Sequence, residues 1–169
     1  MGIGILFVKR KHYEKLHPIL AGWKSVKSNK QYLTYNLDFL DSAQRYEPGS
    51  LNILGIVGLR AALELLLEVG IENVAARLKK LRQIIVSLLH DKGYTVIGVT
   101  KGKQSSGITS FTSQKQDIIK LRRDLDACGF IVSLRDSLDG NKCIRVSPHF
   151  YNTEEEISQL LAKLPSCKH

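Results

Sequence analysis

Residues 143–157, CIRVSPHFYNTEEEI, decide the fold. Alternation through the first five places Cys143, Arg145 and Ser147 on one side of a strand and Ile144 and Val146 on the other. Pro148 cannot donate to a ladder and ends it. Thr153, with Glu156 three residues on, forms a capping box that opens a helix burying Ile157, Leu160, Leu161 and Leu164. Arg145 therefore stands near a strand end, where its planar guanidinium suits bidentate capture of a carboxylate. An ordinary surface ion pair is the alternative. His149 reads as a structural histidine.

Working outward, Phe130–Leu134 is a strand joined to Lys142–Ser147 through a turn at Asp139-Gly140-Asn141. Tyr94–Ile97 and Ile108–Phe111 are further strands. Ser113 with Gln116 has the capping-box spacing, and the spacing predicts a helix from there through Ile118, Ile119, Leu121 and Leu125 to Gly129. Earlier in the chain, Val74, Leu78, Leu81, Ile85 and Leu88 mark an amphipathic helix, with Arg77, Lys80 and Arg82 toward water and an end at Gly93. Asn52–Val69 is a helix with Leu59, Leu63, Leu66 and Leu67 on one side and Gly70 as its stop.

The first third is less regular. Ile3–Val8 is apolar on both faces, the pattern of a buried strand. His12–His17 allows one or two helical turns, ended by Pro18. Ala21–Ser50 has no sustained period but holds Trp23, Tyr32, Tyr35, Phe39 and Tyr46. The expected class is α/β, with an α+β small domain in which long helices pack on a small mixed sheet. The expected divisions are 1–51, 52–93 for connecting helices, and 94–169 for the small C-terminal domain.

Composition narrows the function. The chain has 169 residues, 43% of them hydrophobic, enough for one real core. Its longest apolar runs fall far short of the roughly 20 residues that cross a bilayer, and no signal-peptide pattern opens it. Cys128, Cys143 and Cys167 are odd in number and unpaired in spacing, which favours a reducing, cytoplasmic setting over a disulfide framework or zinc site. Net charge is +9, and residues 1–31 hold +6 of it. Such a segment is a footprint for an anionic partner, but no nucleic-acid motif accompanies it.

Two phosphate-loop patterns fail. Gly2-Ile-Gly4 has Phe7 where a third glycine belongs, and Gly98–Lys103 has Gln104 where Ser or Thr should hold magnesium. The five histidines lack metal-ligand spacing. Arg45-Tyr-Glu47-Pro-Gly49-Ser50-Leu-Asn52 is a turn leading into a helix, whose exposed N–H groups and positive dipole end suit an anion. Plain capping by Ser50 or Asn52 explains the same residues.

Taken in order, GIGILFV, RYEPGSLNILGIVGLRAALELLLEVGIENV, GFIVSLR and IRVSPHFYNTEEEI resemble the C-terminal part of class V aminotransferases. These are fold-type-I pyridoxal-phosphate enzymes, and the look is nearest the isopenicillin-N-epimerase-like branch. The resemblance implies that Arg145 matches the arginine gripping the substrate α-carboxylate. It implies that Ser50 matches the hydroxyl residue, usually Thr, that reaches the cofactor phosphate of the neighbouring subunit. Residues 1–4 match the turn after the cofactor-binding lysine, so that lysine falls before Met1, and 1–51 becomes a remnant of the large cofactor domain.

Pyridoxal chemistry needs that lysine and an acidic partner for the ring nitrogen. By itself, then, the chain is expected to be inactive, without stable pyridoxal 5'-phosphate and with no catalytic residue or metal of its own. Cysteine desulfurases of the family carry their nucleophilic cysteine on a loop before the arginine strand. Ser133–Asn141 contains none, which argues against that reaction. Expected partners are a second copy in a homodimer, a separately encoded N-terminal half and an amino-acid substrate, without membrane or nucleic acid. The alternatives are a non-catalytic interaction domain on the same fold, or an anion- or nucleic-acid-binding module using residues 9–30.

Overall fold

Among the described residues, four α-helices and four strands follow in the order α1 (Ile53–Val69), α2 (Ile71–Asp91), β1 (Thr95–Ile97), β2 (Thr109–Thr112), α3 (Ile118–Ala127), β3 (Ser133–Asp136), β4 (Lys142–Val146) and α4 (Glu154–Ala162). The computed structural model describes residues 2–28, 33, 36–98 and 106–168. It divides into two compact units, Met1–Leu65 and Leu66–His169. Tyr32, Tyr35 and residues 99–103 of the rejected phosphate loop lie outside the described residues.

The second unit holds the core. Leu81, Ile85 and Leu89 of α2 cluster with Phe111, Leu121, Leu125, Ile144, Val146, Ile157, Leu160 and Leu161. The sheet order is β1-β2-β4-β3, and every ladder is antiparallel. The sheet is therefore not mixed, as strands alternating with helices suggested, because β3 and β4 form a hairpin and β4 inserts beside β2. Val96, Phe111, Ile144 and Leu134 lie in one cross-strand row, and all four belong to or pack against the helix-lined core.

The ends of α3 and α4 show what local pattern does and does not specify. Thr153 and Glu156 form the expected capping box. For α3, however, the cap is Asp117, whose carboxylate accepts from the N–H groups of Ile119 and Lys120. Ser113 instead accepts from Lys115 N at 3.1 Å and meets Cys167 Sγ at 3.2 Å. On α2, Arg82 is buried rather than facing water, since it shares the inward stripe with Ile85 and Leu89. Arg77 and Lys80 both reach Glu154 Oε1, at 2.9 and 2.7 Å, tying α2 to the start of α4. Gly70 follows α1 with φ 84°, the left-handed geometry that favours glycine.

The chain's last residues fold back onto the α2–β1 junction. Tyr94 donates its hydroxyl to Pro165 O at 3.0 Å, Lys92 Nζ donates to Leu164 O, and Cys167 N donates to Lys92 O.

In the first unit, Ile3–Val8 makes no ladder, and Ile5, Leu6 and Phe7 are exposed. An extended segment becomes a strand only when a neighbour takes its backbone groups, and no described segment does so here. A 3-10 turn at Arg10–His12 stands where helical turns were expected further on. A second spans Ala43–Tyr46, and Val26 and Phe39 form an isolated bridge. Gly22 packs so closely on Pro48 that a Cβ would meet its carbonyl oxygen at 2.0 Å. No residue of α1 is buried, and Leu54, Val57 and Leu67 are among its exposed apolar side chains.

Candidate functional site

Arg145 sits on β4, the strand flanked on both sides, so two registers fix its neighbours. Ser110 of β2 and Ser133 of β3 both pair with it. Cross-strand partners share a face, so a row Ser110–Arg145–Ser133 runs across the sheet, opposite the face that bears Phe111 and Ile144. Alternation adds Cys143 and its partner Arg135 to the same side. The expected division of β4, with Cys143 and Arg145 against Ile144 and Val146, is the one observed.

The Arg145 side chain is half-buried, and its Nε is buried with no hydrogen-bond partner. No described carboxylate pairs with it. A surface ion pair, the alternative for this residue, is thus not made among the described residues. A buried donor left unpaired costs about 1–3 kcal/mol. Cys143 beside it is buried, and burial pushes its thiol up. Asp136 and Asp139 push the same way, while Arg135 and Arg145 pull it down. The net result is a protonated, weakly nucleophilic sulfur.

Ser50 belongs to the first unit and Arg145 to the second, and each is described in its own surroundings. Of the two capping candidates Asn52 does the work: its Oδ1 accepts from Gly55 N at 2.9 Å. Ser50 is exposed, and its hydroxyl has no partner among the described residues. It therefore remains open to an external acceptor ahead of α1.

The group implied by the resemblance can be tested against these side chains. A turn with a free hydroxyl before a helix fits a phosphate, and Arg145 fits a carboxylate. Among the described strand residues the Arg145 face presents no lysine, its members being Ser, Thr, Cys, Arg and Ile. The described residues fit the anionic ends of cofactor and substrate but not a covalent link to the cofactor, so no chemical step is derived through it.

Reading the residues one at a time did not single out Ser110, Ser133 or Arg135. Alternation marks Ser133 and Arg135 as sharing a side, but only the register shows that side to be Arg145's.

Comparison with known proteins gives the family. A probable cysteine desulfurase of Borreliella burgdorferi is 25% identical over 96% of this chain, which covers 41% of the relative. The kynureninase of Bacillus anthracis is 27% identical over 94% of this chain and 37% of its own length. Among solved structures, apo cysteine desulfurase from Thermococcus onnurineus superposes with a TM-score of 0.81 at 21% identity, over 92% of this chain and 40% of that one. The cystine C-S lyase C-DES, solved with its product cysteine persulfide, superposes with a TM-score of 0.74 at 22% identity, over 93% and 40%. The chain thus spans about 40% of the length of the curated relatives it matches. Pyridoxal phosphate is the cofactor of these enzymes. The aminotransferase class-V signature covers residues 1–160, and the chain belongs to that family.

Proposed function

We propose that this chain is the C-terminal, carboxylate-binding portion of a pyridoxal-phosphate enzyme acting on an amino acid. The observation that carries the reading is the guanidinium of Arg145, its Nε buried without a partner, held between two serines on the sheet face opposite Phe111 and Ile144. Arg145 binds and orients the substrate α-carboxylate, and the Ser110 and Ser133 hydroxyls stand beside it as hydrogen-bond donors. Ser50 offers its hydroxyl to the cofactor phosphate, which in the family is that of a neighbouring subunit. When bound, the cofactor supplies the electron sink for amino-acid chemistry; its lysine and ring partners come from the rest of the family length. Alone, the chain is inactive.

The reaction is not desulfuration. The β3–β4 turn, Ser137–Asn141, contains no thiol and is closed by Ser137 and Asn141 on Asp139. Cys143 is buried with its thiol pushed up, the reverse of a reactive cysteine.

The exposed apolar residues of α1 and of Ile3–Phe7 support a second copy, or a polypeptide carrying the remaining family length, as the partner that covers them. They also support a second reading, a non-catalytic interaction domain on this fold. Two measurements test the primary reading. Butyrate added to the labelled chain should shift the Arg145 Nε–Hε signal in an NMR spectrum, and the chain mixed with pyridoxal phosphate should keep no stoichiometric absorbance band after dialysis. An unmoved Arg145 signal, or a band that survives, would overturn the corresponding half.

A further inference from the structure

A second guanidinium stands one diagonal from Arg145 on the same sheet face. Arg135 pairs with Cys143, and Ser133, two residues before it, pairs with Arg145. Diagonal neighbours on paired strands lie roughly 7–8 Å apart, within reach of each other's long side chains. The Cys143 thiol feels both positive charges. Arg135 is exposed, and its one side-chain bond, from Nη1 to the adjacent Leu134 O at 3.2 Å, leaves the rest of its donor fork open.

Neither arginine pairs with a carboxylate among the described residues, in a chain that has 16 Asp and Glu. The acids that act on Cys143 are engaged elsewhere. Asp136 is held by Lys142, and Asp139 accepts from Ser137 and from Asn141 Nδ2 at 2.8 Å. Two cations left side by side repel each other. A single carboxylate is satisfied by one bidentate guanidinium, so a monoanion leaves the second unmatched.

We propose that Arg145 and Arg135 together hold a substrate with two anionic groups, an amino acid whose side chain carries a second carboxylate. The α-carboxylate goes to Arg145 and the distal one to Arg135. This rests on the reading of Arg145 above and adds the substrate class. Ser133, opposite Arg145 and two residues before Arg135 on β3, donates to either oxygen set.

The test uses the full chain at constant ionic strength, comparing glutarate with butyrate through the Nε–Hε signals of the two arginines. Glutarate should bind about fivefold tighter, the upper range for one exposed ion pair, and should shift both signals. Arg135→Gln should abolish the preference, bringing glutarate and butyrate to the same level. Lys79→Gln, which removes an equal charge from α2, should leave the preference intact. Equal binding of the two acids, no response to glutarate, or a preference that survives Arg135→Gln overturns the proposal. If instead Arg145→Gln leaves butyrate binding intact, it is the reading of Arg145 itself that fails.

Discussion

Arg145→Met should leave the isolated chain as stable as before or make it more stable. The guanidinium brings a buried Nε without a hydrogen-bond partner into the middle of the sheet, at a cost of about 1–3 kcal/mol. Methionine offers a stem of similar length without a donor and adapts to irregular space. Against this stands the packing of the arginine stem, which methionine largely keeps. The expected net effect is a gain of about 1 kcal/mol, and in a unit of this size that raises Tm by roughly 4–8 °C. Thermal and urea unfolding followed by circular dichroism measure it, with an unchanged m value showing that the same surface unfolds. A loss of about 1 kcal/mol or more would show that the guanidinium serves the fold, and would refute its assignment to a ligand. Residues held for binding at a cost in stability are common at functional sites.

Leu161→Ala removes an α4 side chain that is 1% exposed in the core shared with α2, and should cost about 2–5 kcal/mol in the same unfolding assay. Burial raises the Tyr94 phenol pKa above its ordinary value of 10.0, so its stabilising contribution is complete below pH 10 and is lost as pH rises toward the folded value. Tyr94→Phe should flatten that alkaline decline while costing about 1 kcal/mol at neutral pH through the lost bond to Pro165; parallel pH profiles would contradict this. Light scattering at micromolar concentration should give twice the 19.0 kDa chain mass. A monodisperse monomer with residues 1–51 protected from protease would contradict a dimer built on them.

What was legible in the sequence is what local chemistry specifies. The Thr153–Glu156 box and the turn at Gly140, with φ 80°, needed only neighbours a few residues away. The start of α3 is not legible locally, because Ser113–Gln116 has the same spacing as a real box while Asp117 takes the cap. A charge on an amphipathic helix usually faces water, yet the inward stripe of α2 is wide enough to include Arg82. Ile3–Val8 has the composition of a strand, but no described segment pairs with it. On the site, Arg145 was visible from alternation and resemblance. Its two serines and Arg135 were not assigned to it, because strand register is set by contacts distant in sequence.

The most direct test joins this chain to a polypeptide supplying the remaining family length and measures amino-acid turnover with and without Arg145. Arg145→Ala should lower kcat/KM by roughly tenfold to a hundredfold, the equivalent of about 1.5–3 kcal/mol for one charged hydrogen bond, and raise KM. Pyridoxal-phosphate content should stay the same. Unchanged kinetics in the variant, with the cofactor in place, would contradict the account.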